Sequence, residues 1–457
     1  MSAISFGTDG WRTTLDEFTV ERVQMVAQGI ANYLRERNTD GSTVIVGYDA
    51  RKSSREYAEH VAEVLQMNEF DVIIPHRDLP TPIIAWTIVD RDLAGGIMIT
   101  ASHNPPEYNG LKFIPHDGAP ALPEVTNAIE ERIEEPYNTN VSPGNRSTVD
   151  ILTPYLEYAK SSFAGDLSGL TVVYDAMHGS GRGVTDKLLS QAGADVHQLR
   201  CDQDPTFGGT PPEPSQEHLQ ELIDAVDERS ADIGIANDGD ADRIAIVTPK
   251  RGMLDENIFF GLLYDHLLDS QAGSAVRSVS TTFLIDRIAQ AHNEDVIETQ
   301  VGFKWIAKAM AEHDALIGGE ESGGFTIRNH IREKDGVFIA LHACGLVGNG
   351  DIDAQIDRLL SEYGEIYQSK RSVDCPDAEK ERVLQGVEAS IQETIAGLTI
   401  DDINTIDGDK ILFDDGSWLL IRPSGTEPKM RIYAEASTQT KVETLLAAGQ
   451  ELVEAQL

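Results

Sequence analysis

Val44-Ile-Val-Gly-Tyr-Asp-Ala-Arg-Lys-Ser-Ser54 is an apolar, β-branched run that ends in an acidic turn, and a helical pattern follows it over 54–67. Such a run predicts a buried strand that leads into a helix. The segments 171–181 (TVVYDAMHGSG) and 233–243 (IGIANDGDADR) repeat the order of strand and acidic turn. They indicate either three copies of one α/β unit or the ordinary strand ends of any α/β protein. In both cases the alternation predicts α/β units with parallel or mixed sheets.

The pattern outside these segments predicts four domains. Further helical stretches separate the apolar runs of the first 367 residues, at 19–37, 218–228 and 286–293. Beyond them the pattern changes to a helix, a hairpin and a last helix, at 377–396, 410–421 and 440–455. This order predicts three similar α/β domains followed by a smaller α+β domain. We place the domains at 1–146, 147–250, 251–368 and 369–457, with a linker around 136–147.

The composition excludes several classes of protein. No stretch approaches the roughly 20 consecutive apolar residues of a membrane span, and the N-terminus shows no signal peptide. Three scattered cysteines, Cys201, Cys344 and Cys375, fit free thiols in a reducing cytoplasm better than a disulfide framework. The chain has 76 acidic residues against 37 lysines and arginines, which gives a net charge of −39. Such a surface repels nucleic acid and anionic membranes, so we expect neither as a partner.

The large negative charge also predicts adaptation to high salt. Salt screens the repulsion between like charges, which would otherwise destabilise a compact chain of this charge. We therefore expect the free energy of unfolding, measured by denaturant titration, to fall when KCl is diluted from molar concentrations to about 0.1 M. The alternative is an ordinary acidic protein, and unchanged stability after dilution would support that alternative instead.

Thr100-Ala-Ser-His-Asn-Pro-Pro-Glu-Tyr-Asn-Gly-Leu-Lys112 places a serine directly after an apolar strand. The two prolines stop a helix from continuing there, so Ser102 would lie exposed on a rigid turn. A serine hydroxyl is a weak nucleophile unless a base or a metal assists it. His103 is adjacent, and Lys112 could donate or accept a proton if its pKa is lowered. Taken alone, a Ser-His pair is far more often an ordinary turn.

Asn237-Asp-Gly-Asp-Ala-Asp-Arg243 alternates three aspartates, Asp238, Asp240 and Asp242, after an apolar strand. An extended turn could point the three carboxylates at one cation, and ligands that are all oxygen favour Mg²⁺ over zinc. The segment is not an EF-hand loop, because another apolar strand stands where the closing glutamate would be. A solvated acidic turn is the alternative in a chain this acidic. Arg243 would lie beside the metal and could neutralise phosphate charge.

Two later loops carry groups that suit a sugar and a phosphate. Gly318-Gly-Glu-Glu-Ser-Gly-Gly324 offers Glu320 and Ser322 to vicinal hydroxyls, although such a glycine-rich turn is often only structural. The segment 422–431 (RPSGTEPKMR) surrounds small hydroxyls and backbone N–H groups with cations, which suits a phosphate that does not react. We call it the phosphate cradle and assign to it Arg422, Ser424, Gly425, Thr426 and Arg431.

Two isolated cations stand on glycine-rich turns elsewhere in the chain. Arg12 ends the segment Phe6-Gly-Thr-Asp-Gly-Trp-Arg12, and Lys304 ends Val301-Gly-Phe-Lys304. Either side chain could contact phosphate, and either could equally be an ordinary surface charge.

Together these motifs resemble those of one family. GTDGWR, TASHNP, DGDADR, GEESGG and RPSGTEPK occur here in the order found in α-D-phosphohexomutases, over essentially the whole chain. The resemblance implies four domains around a central cleft, with phosphorylated Ser102 as the phosphoryl carrier. It also implies that Mg²⁺ is held by the three aspartates and a phosphoserine oxygen. Lys112 and His103 would assist proton transfer, and Arg12 would contact the reacting end.

The resemblance further implies a substrate class. Phospho-Ser102 would convert a hexose monophosphate through a hexose 1,6-bisphosphate, with glucose 1,6-bisphosphate as activator. Glu321 and Gly324 resemble the loops of phosphoglucomutases, whereas GEMSG resembles enzymes of mannose phosphates and GEQSGH phosphoglucosamine mutases. We therefore expect interconversion of glucose 1-phosphate and glucose 6-phosphate.

Other functions are compatible with parts of the pattern. The nearest alternative is a bifunctional phosphomannomutase/phosphoglucomutase. A catalytically silent, phosphate-binding interaction protein is another, although every motif is intact. An unrelated Ser/His hydrolase would leave the three aspartates Asp238, Asp240 and Asp242 without a role. We expect small hexose phosphates as the binding partners and no obligatory protein partner.

Overall fold

The computed structural model describes residues 4–37, 42–136, 143–425 and 427–457. Within these residues the chain forms four sheets, of six, five, four and six strands. The predicted fold class is confirmed: three α/β domains with mixed sheets precede a smaller α+β domain. The linker predicted at 136–147 lies partly outside the described residues.

The first domain has a mixed sheet between helices. Its strands are β1 (Trp11–Thr14), β2 (Thr43–Tyr48), β3 (Asp71–Pro75), β4 (Gly95–Ile99), β5 (Tyr108–Pro115) and β6 (Arg146–Val149), and its helices are α1 (Val20–Glu36), α2 (Ser54–Met67), α3 (Thr81–Asp90) and α4 (Pro123–Glu130). Neighbouring side chains of β2 point to opposite faces, so Val44 packs into one hydrophobic core and Ile45 into another. Burial on both faces explains the unbroken apolar run. Strand β6 spans the boundary predicted at residues 146 and 147.

The second domain follows the same plan. Its elements are α5 (Leu152–Ser162), β7 (Thr171–Asp175), α6 (Thr185–Gln191), β8 (Asp195–Leu199), α7 (Gln220–Arg229), β9 (Ile233–Asn237), β10 (Ile244–Thr248) and β11 (Gly252–Met253). Strand β7 is parallel to β8 and β9, and β10 returns antiparallel to β9. The short turn between β9 and β10 carries the three aspartates.

The third domain repeats this plan again. Its elements are α8 (Glu256–Leu268), β12 (Ala275–Ser278), α9 (Leu284–His292), β13 (Val296–Thr299), α10 (Phe303–His313), β14 (Ile317–Gly319), β15 (Phe325–Ile327), α11 (Gly336–Gly348) and α12 (Ile352–Tyr363). Its strand order, β15-β14-β12-β13, corresponds to β5-β4-β2-β3 and β10-β9-β7-β8 in the other two sheets. The shared order favours three copies of one unit over a chance similarity of strand ends.

The fourth domain is an antiparallel sheet with two helices. Its elements are β16 (Tyr367–Asp374), α13 (Lys380–Ser390), β17 (Thr394–Ile395), β18 (Leu398–Asn404), β19 (Asp409–Phe413), β20 (Trp418–Pro423), β21 (Lys429–Ala436) and α14 (Gln439–Glu454). The hairpin around Asp414 and the last helix agree with the prediction. The helix predicted over 377–396 was too long, because Ile395 enters the core on a strand and Ala396 turns with a φ of 52°.

A continuous hydrophobic core joins the first three domains. It packs Ile84 of α3, Tyr155 of α5, Phe259 of α8 and Phe338 of α11 together. Because this core crosses the domain borders, it holds the loops at the ends of the three sheets in a fixed relation. Among the described residues, none of the helices combines the length and the apolar character that a membrane crossing requires.

Candidate active site

Three of the loops singled out in the sequence occupy equivalent turns of the three α/β domains. They connect β4 to β5, β9 to β10 and β14 to β15. The first two loops meet directly, because Ser102 Oγ donates a hydrogen bond to Asp238 Oδ2 at 2.8 Å. The third domain reaches the same place through Lys334, whose Nζ lies 3.0 Å from Asp242 Oδ2. The repeated fold therefore brings a hydroxyl group, carboxylates and an ammonium group from three different domains to one position.

Ser102 lies on a strained turn of the phosphoserine loop, the name used here for residues 100–108. Its φ is 50°, a left-handed conformation that is costly for a residue with a Cβ atom. Its backbone N–H donates to Thr100 Oγ1 at 2.8 Å, which helps to hold the turn. The expected exposure of Ser102 was wrong: the residue is 1% exposed, so its hydroxyl faces the other domains and not bulk water.

His103 is the imidazole beside this hydroxyl, with Nδ1 3.4 Å from Ser102 Oγ. The Arg243 guanidinium and then burial hold the pKa of His103 well below its ordinary value. The ring is therefore uncharged at neutral pH and has a nitrogen that can accept a proton.

Asp238, Asp240 and Asp242 are brought together as predicted, and all three are buried. One carboxylate oxygen of each lies within 4.8 Å of the others. Burial and then the charges of Asp240 and Asp242 raise the pKa of Asp238 well above its usual range. Among the described residues, Asp240 Oδ1 and Asp242 Oδ1 have no hydrogen-bond partner. Buried, mutually repelling oxygens with unused lone pairs fit a hard divalent cation such as Mg²⁺.

Lys112 lies in the same cluster but differs from the expectation in its acidity. Its Nζ is 2.9 Å from Asp9 Oδ1 and 2.9 Å from Glu333 Oε2. Burial acts to lower the pKa of Lys112, but these two carboxylates outweigh burial and the pKa is raised. The lowered pKa that a proton acceptor would need is therefore absent. At neutral pH the ammonium group can donate a proton but cannot accept one.

Lys334 is a cation of the site that the sequence analysis missed. Its Nζ pairs with Asp242 and lies 3.3 Å from Glu333 Oε1. Its aliphatic chain fills the space beside Gly324, where an added Cβ atom would lie 2.4 Å from Lys334 Cδ. The run of four charges from Arg332 to Asp335, between a buried strand and a buried helix, is the signal that could have identified it.

The two glutamates of the third loop have different partners. Glu320 Oε1 accepts a hydrogen bond from Gly302 N at 2.9 Å, and burial, assisted by Glu321, raises the pKa of Glu320 to about 7. Glu321 accepts from Ser280 Oγ at 2.8 Å, so it ties the loop to the segment after β12. Ser322, which precedes Gly323 and Gly324, is half-buried.

Three further predicted cations lie around the cleft. Arg12 Nη1 donates to Asn104 Oδ1 at 3.2 Å, which places Arg12 on the phosphoserine loop. Arg243 donates its backbone N–H to Asp238 Oδ1 at 3.1 Å, while its buried Nε has no hydrogen-bond partner among the described residues. Lys304 is half-buried near the start of α10, and burial lowers its pKa.

The phosphate cradle lies between β20 and β21, where Arg422 and Arg431 are opposite each other. Both cations already have acidic partners: Arg422 Nε lies 3.0 Å from Asp407 Oδ2, and Arg431 pairs with Glu427. A Cβ atom at Gly425 would lie 3.2 Å from Thr8 Oγ1, so the cradle approaches the first domain. Ser424 is buried next to Gly425. Thr426 lies outside the described residues.

Lys380 supports the phosphate cradle through contacts with its backbone, and the sequence analysis did not identify it. Its Nζ donates to the carbonyl oxygens of Ser424 and Glu427, each at 2.6 Å. These two contacts satisfy carbonyl groups of the loop and hold its backbone in place.

Comparison with known proteins identifies the family. The phosphoglucomutase/phosphomannomutase family matches four times: α/β/α domain I over residues 3–140, domain II over 153–252, domain III over 255–363 and the C-terminal domain over 372–449. A relative from Methanopyrus kandleri, named "Probable phosphoglucosamine mutase", is 32% identical over 96% of this chain and 95% of its own. The "Phosphoglucomutase/phosphomannomutase" of Thermococcus kodakarensis is 31% identical over 98% of both chains.

The fold agrees with this assignment. The crystal structure of a phosphoglucomutase/phosphomannomutase family protein from Burkholderia thailandensis superposes with a TM-score of 0.87 at 21% identity, over 100% of this chain and 98% of that one. Four family matches in sequence order, relatives along the whole length and the shared architecture lead to one conclusion. The chain belongs to the phosphoglucomutase/phosphomannomutase family, the α-D-phosphohexomutases.

Proposed function

We propose that the protein interconverts glucose 1-phosphate and glucose 6-phosphate through phosphorylated Ser102 and a glucose 1,6-bisphosphate intermediate. The observation that carries the proposal is the 2.8 Å hydrogen bond from Ser102 Oγ to Asp238 Oδ2, which joins the nucleophile to the carboxylate triad. Family membership supports phosphohexomutase chemistry in general. The choice of glucose rests on the sequence of the third loop.

In the first half of the proposed reaction, the phosphoryl group leaves Ser102 Oγ for a free hydroxyl of a hexose monophosphate. The bond between phosphorus and Ser102 Oγ breaks as a bond to the hydroxyl oxygen forms, and the hydroxyl proton must leave. We assign the transfer of this proton to His103, whose Nδ1 lies 3.4 Å from Ser102 Oγ and would pass the proton on to that leaving oxygen. Arg243, with its unpartnered Nε, would bind an oxygen of the transferred group.

Asp238, Asp240, Asp242 and an oxygen of phosphorylated Ser102 would hold Mg²⁺. The ion would offset the negative charge that develops on the transferred phosphoryl group. Support for this ligand set comes from the three carboxylate oxygens within 4.8 Å of one another. Lys112 and Arg12 would add positive charge on the side of the cleft formed by the first domain.

In the second half, the bisphosphate turns over and presents its other phosphate to Ser102. Ser102 Oγ takes that phosphoryl group and gives up its proton, the bond from phosphorus to the sugar oxygen breaks, and the proton passes to this oxygen. The phosphoenzyme is thereby regenerated, so no net phosphate is consumed. Arg422, Ser424, Gly425 and Arg431 would bind whichever phosphate is not reacting.

Glu320 and Ser322 are the groups that we assign to the sugar hydroxyls. Glu321 is held by Ser280 and would therefore position the loop without contacting the sugar. The names of the relatives keep glucosamine phosphate as a second candidate substrate, and mannose phosphate remains the bifunctional alternative.

Relative turnover on three sugars tests the proposal. With Mg²⁺ and catalytic glucose 1,6-bisphosphate, we expect kcat/KM for glucose 1-phosphate to exceed that for mannose 1-phosphate and glucosamine 1-phosphate by about 10-fold or more, the range that a few pocket contacts can supply. Comparable values for glucose and mannose would establish the bifunctional enzyme. A preference for glucosamine 1-phosphate would instead assign the amino sugar, and no turnover of any sugar would refute mutase activity.

A further inference from the structure

We propose that Arg51 is a positioning residue that holds the phosphoserine loop in its reactive shape, an inference that rests on the proposed role of Ser102. Arg51 follows β2, is 4% exposed and does not face the cleft as a ligand. Its guanidinium group uses all five N–H donors. Nε donates to Asp49 Oδ2, and the four others donate to backbone carbonyl oxygens of the loop, those of Ser102, Asn104, Pro105 and Tyr108.

The loop needs such a partner because of its own composition. Pro105 and Pro106 have no N–H, so this stretch cannot build a regular backbone hydrogen-bond pattern. Pro105 O also accepts from Tyr108 N at 3.0 Å, but without Arg51 the carbonyls of Ser102, Asn104 and Tyr108 would lose a donor, which is costly in a largely buried place. The contacts are short, 2.6 Å to Ser102 O and 2.7 Å to Pro105 O. A single planar cation therefore replaces the missing backbone donors.

Two residues of the second domain pack against Arg51 and the Ser102 carbonyl. The Phe207 ring stacks at 5.0 Å from the Arg51 guanidinium carbon. Gly239 lies in the segment 237–243 with the three aspartates, called the metal loop here. It approaches so closely that a Cβ atom on Gly239 would lie 2.4 Å from Ser102 O. The Ser102 carbonyl is thus fixed between Arg51 and the metal loop. Its position sets the distance between Ser102 Oγ and Asp238.

The orientation of the loop has an electrostatic consequence. Arg51 holds four carbonyl oxygens, the negative ends of their peptide groups, against its own positive charge. A phosphate on Ser102 carries about two negative charges, so carbonyls turned towards it would repel it. Fixing these carbonyls stabilises the phosphorylated state as well as the strained φ of 50° at Ser102.

The second domain contains a natural control for this arrangement. Asp175 is the last residue of β7 and Asp49 directly follows β2, and each accepts a hydrogen bond from the backbone N–H of the residue two positions later. Arg200 pairs with Asp175 as Arg51 pairs with Asp49, and it donates to one carbonyl, His218 O, at 3.1 Å. Among the described residues, the hydrogen bonds of the Arg200 side chain go to Asp175 and His218 and to none of the loops of the candidate site. Replacing it should therefore remove a comparable ion pair without moving Ser102.

The experiment compares Arg51→Lys with Arg200→Lys. Lysine keeps the charge but has three donors and no planar fork, so it cannot hold four carbonyls and Asp49 together. We expect Arg51→Lys to lower kcat by about 100-fold, the typical effect of a displacement near 1 Å, while KM changes by less than about 3-fold. We expect Arg200→Lys to keep kcat within about 2-fold of the wild type. Melting temperatures of both variants would be recorded.

Chemical rescue provides a second measurement in case the loss of activity reflects misfolding. Free guanidinium ion, added below denaturing concentrations, should restore part of kcat to Arg51→Ala and none to Arg200→Ala. Unchanged kcat in Arg51→Lys, or an equal loss in Arg200→Lys, would overturn the inference, and so would a failure of rescue in a folded Arg51→Ala. These results are distinct from failure of the proposed function, which Ser102→Ala reports.

Discussion

Ser102→Ala is expected to reduce mutase activity by at least about 1,000-fold, because no other group would be in place to carry the phosphoryl group between substrates. Ser102 Oγ is the hydroxyl that meets the carboxylate triad, at 2.8 Å from Asp238 Oδ2. The loss should appear in kcat with glucose 1-phosphate as substrate. Intact-protein mass after incubation with glucose 1,6-bisphosphate should show one added phosphate in the wild type and none in the variant, with peptide mapping to Ser102.

A matched control is Ser417→Ala. Ser417 is 4% exposed and its Oγ contacts Asp415 in the hairpin of the fourth domain, far along the chain from the site. This variant should keep both activity and phosphorylation. If Ser102→Ala retained full activity and the wild type carried no phosphate at Ser102, the phosphoserine mechanism would be wrong.

Asp240→Asn is expected to abolish stabilisation by Mg²⁺ and to reduce activity by about 100-fold or more, because the ion supplies several kcal/mol to the transition state. In the wild type, Mg²⁺ at 100 times its dissociation constant should add about 2.7 kcal/mol of stability. Without Mg²⁺ the variant should melt lower than the wild type. Burial acts to raise the pKa of Asp240, but Lys112, the hydrogen bond from Thr81 and the other nearby cations outweigh it and lower the pKa, so the ionised carboxylate stabilises the fold at neutral pH.

Asp186→Asn is the control that shows whether Asp240 is a ligand of Mg²⁺. Asp186 is 4% exposed, belongs to the same domain and also has one oxygen without a partner among the described residues, but it lies outside the triad. Its variant should keep the rise in melting temperature with Mg²⁺, measured by scanning calorimetry. Equal Mg²⁺ responses in wild type and Asp240→Asn would remove Asp240 from the metal site.

The sequence was informative where the signal is local. Strands buried on both faces read as unbroken apolar runs, so β2 and β9 and the turns after them could be placed without a structure. The aspartate triad was predictable because its members alternate within one turn. The length of α13 was not, because the turn at Ala396 depends on packing of Ile395 into the core.

Residues that act across domains escaped the sequence analysis. Lys334 and Arg51 are charged residues that a local pattern assigns to solvent, and only the meeting of separate loops buries them. The same limit applies to the acidity of Lys112. Its pKa depends on Asp9 and Glu333, which are distant in the chain. The substrate preference, the Ser102 mechanism and the domain boundaries stay predictions.

The approach of Gly425 to Thr8 has a consequence for how often the enzyme completes a cycle. This seam joins the first and the fourth domain, and in the proposed reaction it would border the space in which the bisphosphate turns over. A bisphosphate that escaped would take the phosphate of Ser102 with it and leave an inactive protein. The strength of the seam would then set the processivity of the proposed reaction, the number of isomerisations per lost intermediate. A weaker seam would make the enzyme more dependent on added glucose 1,6-bisphosphate, with no change in any residue that performs the chemistry.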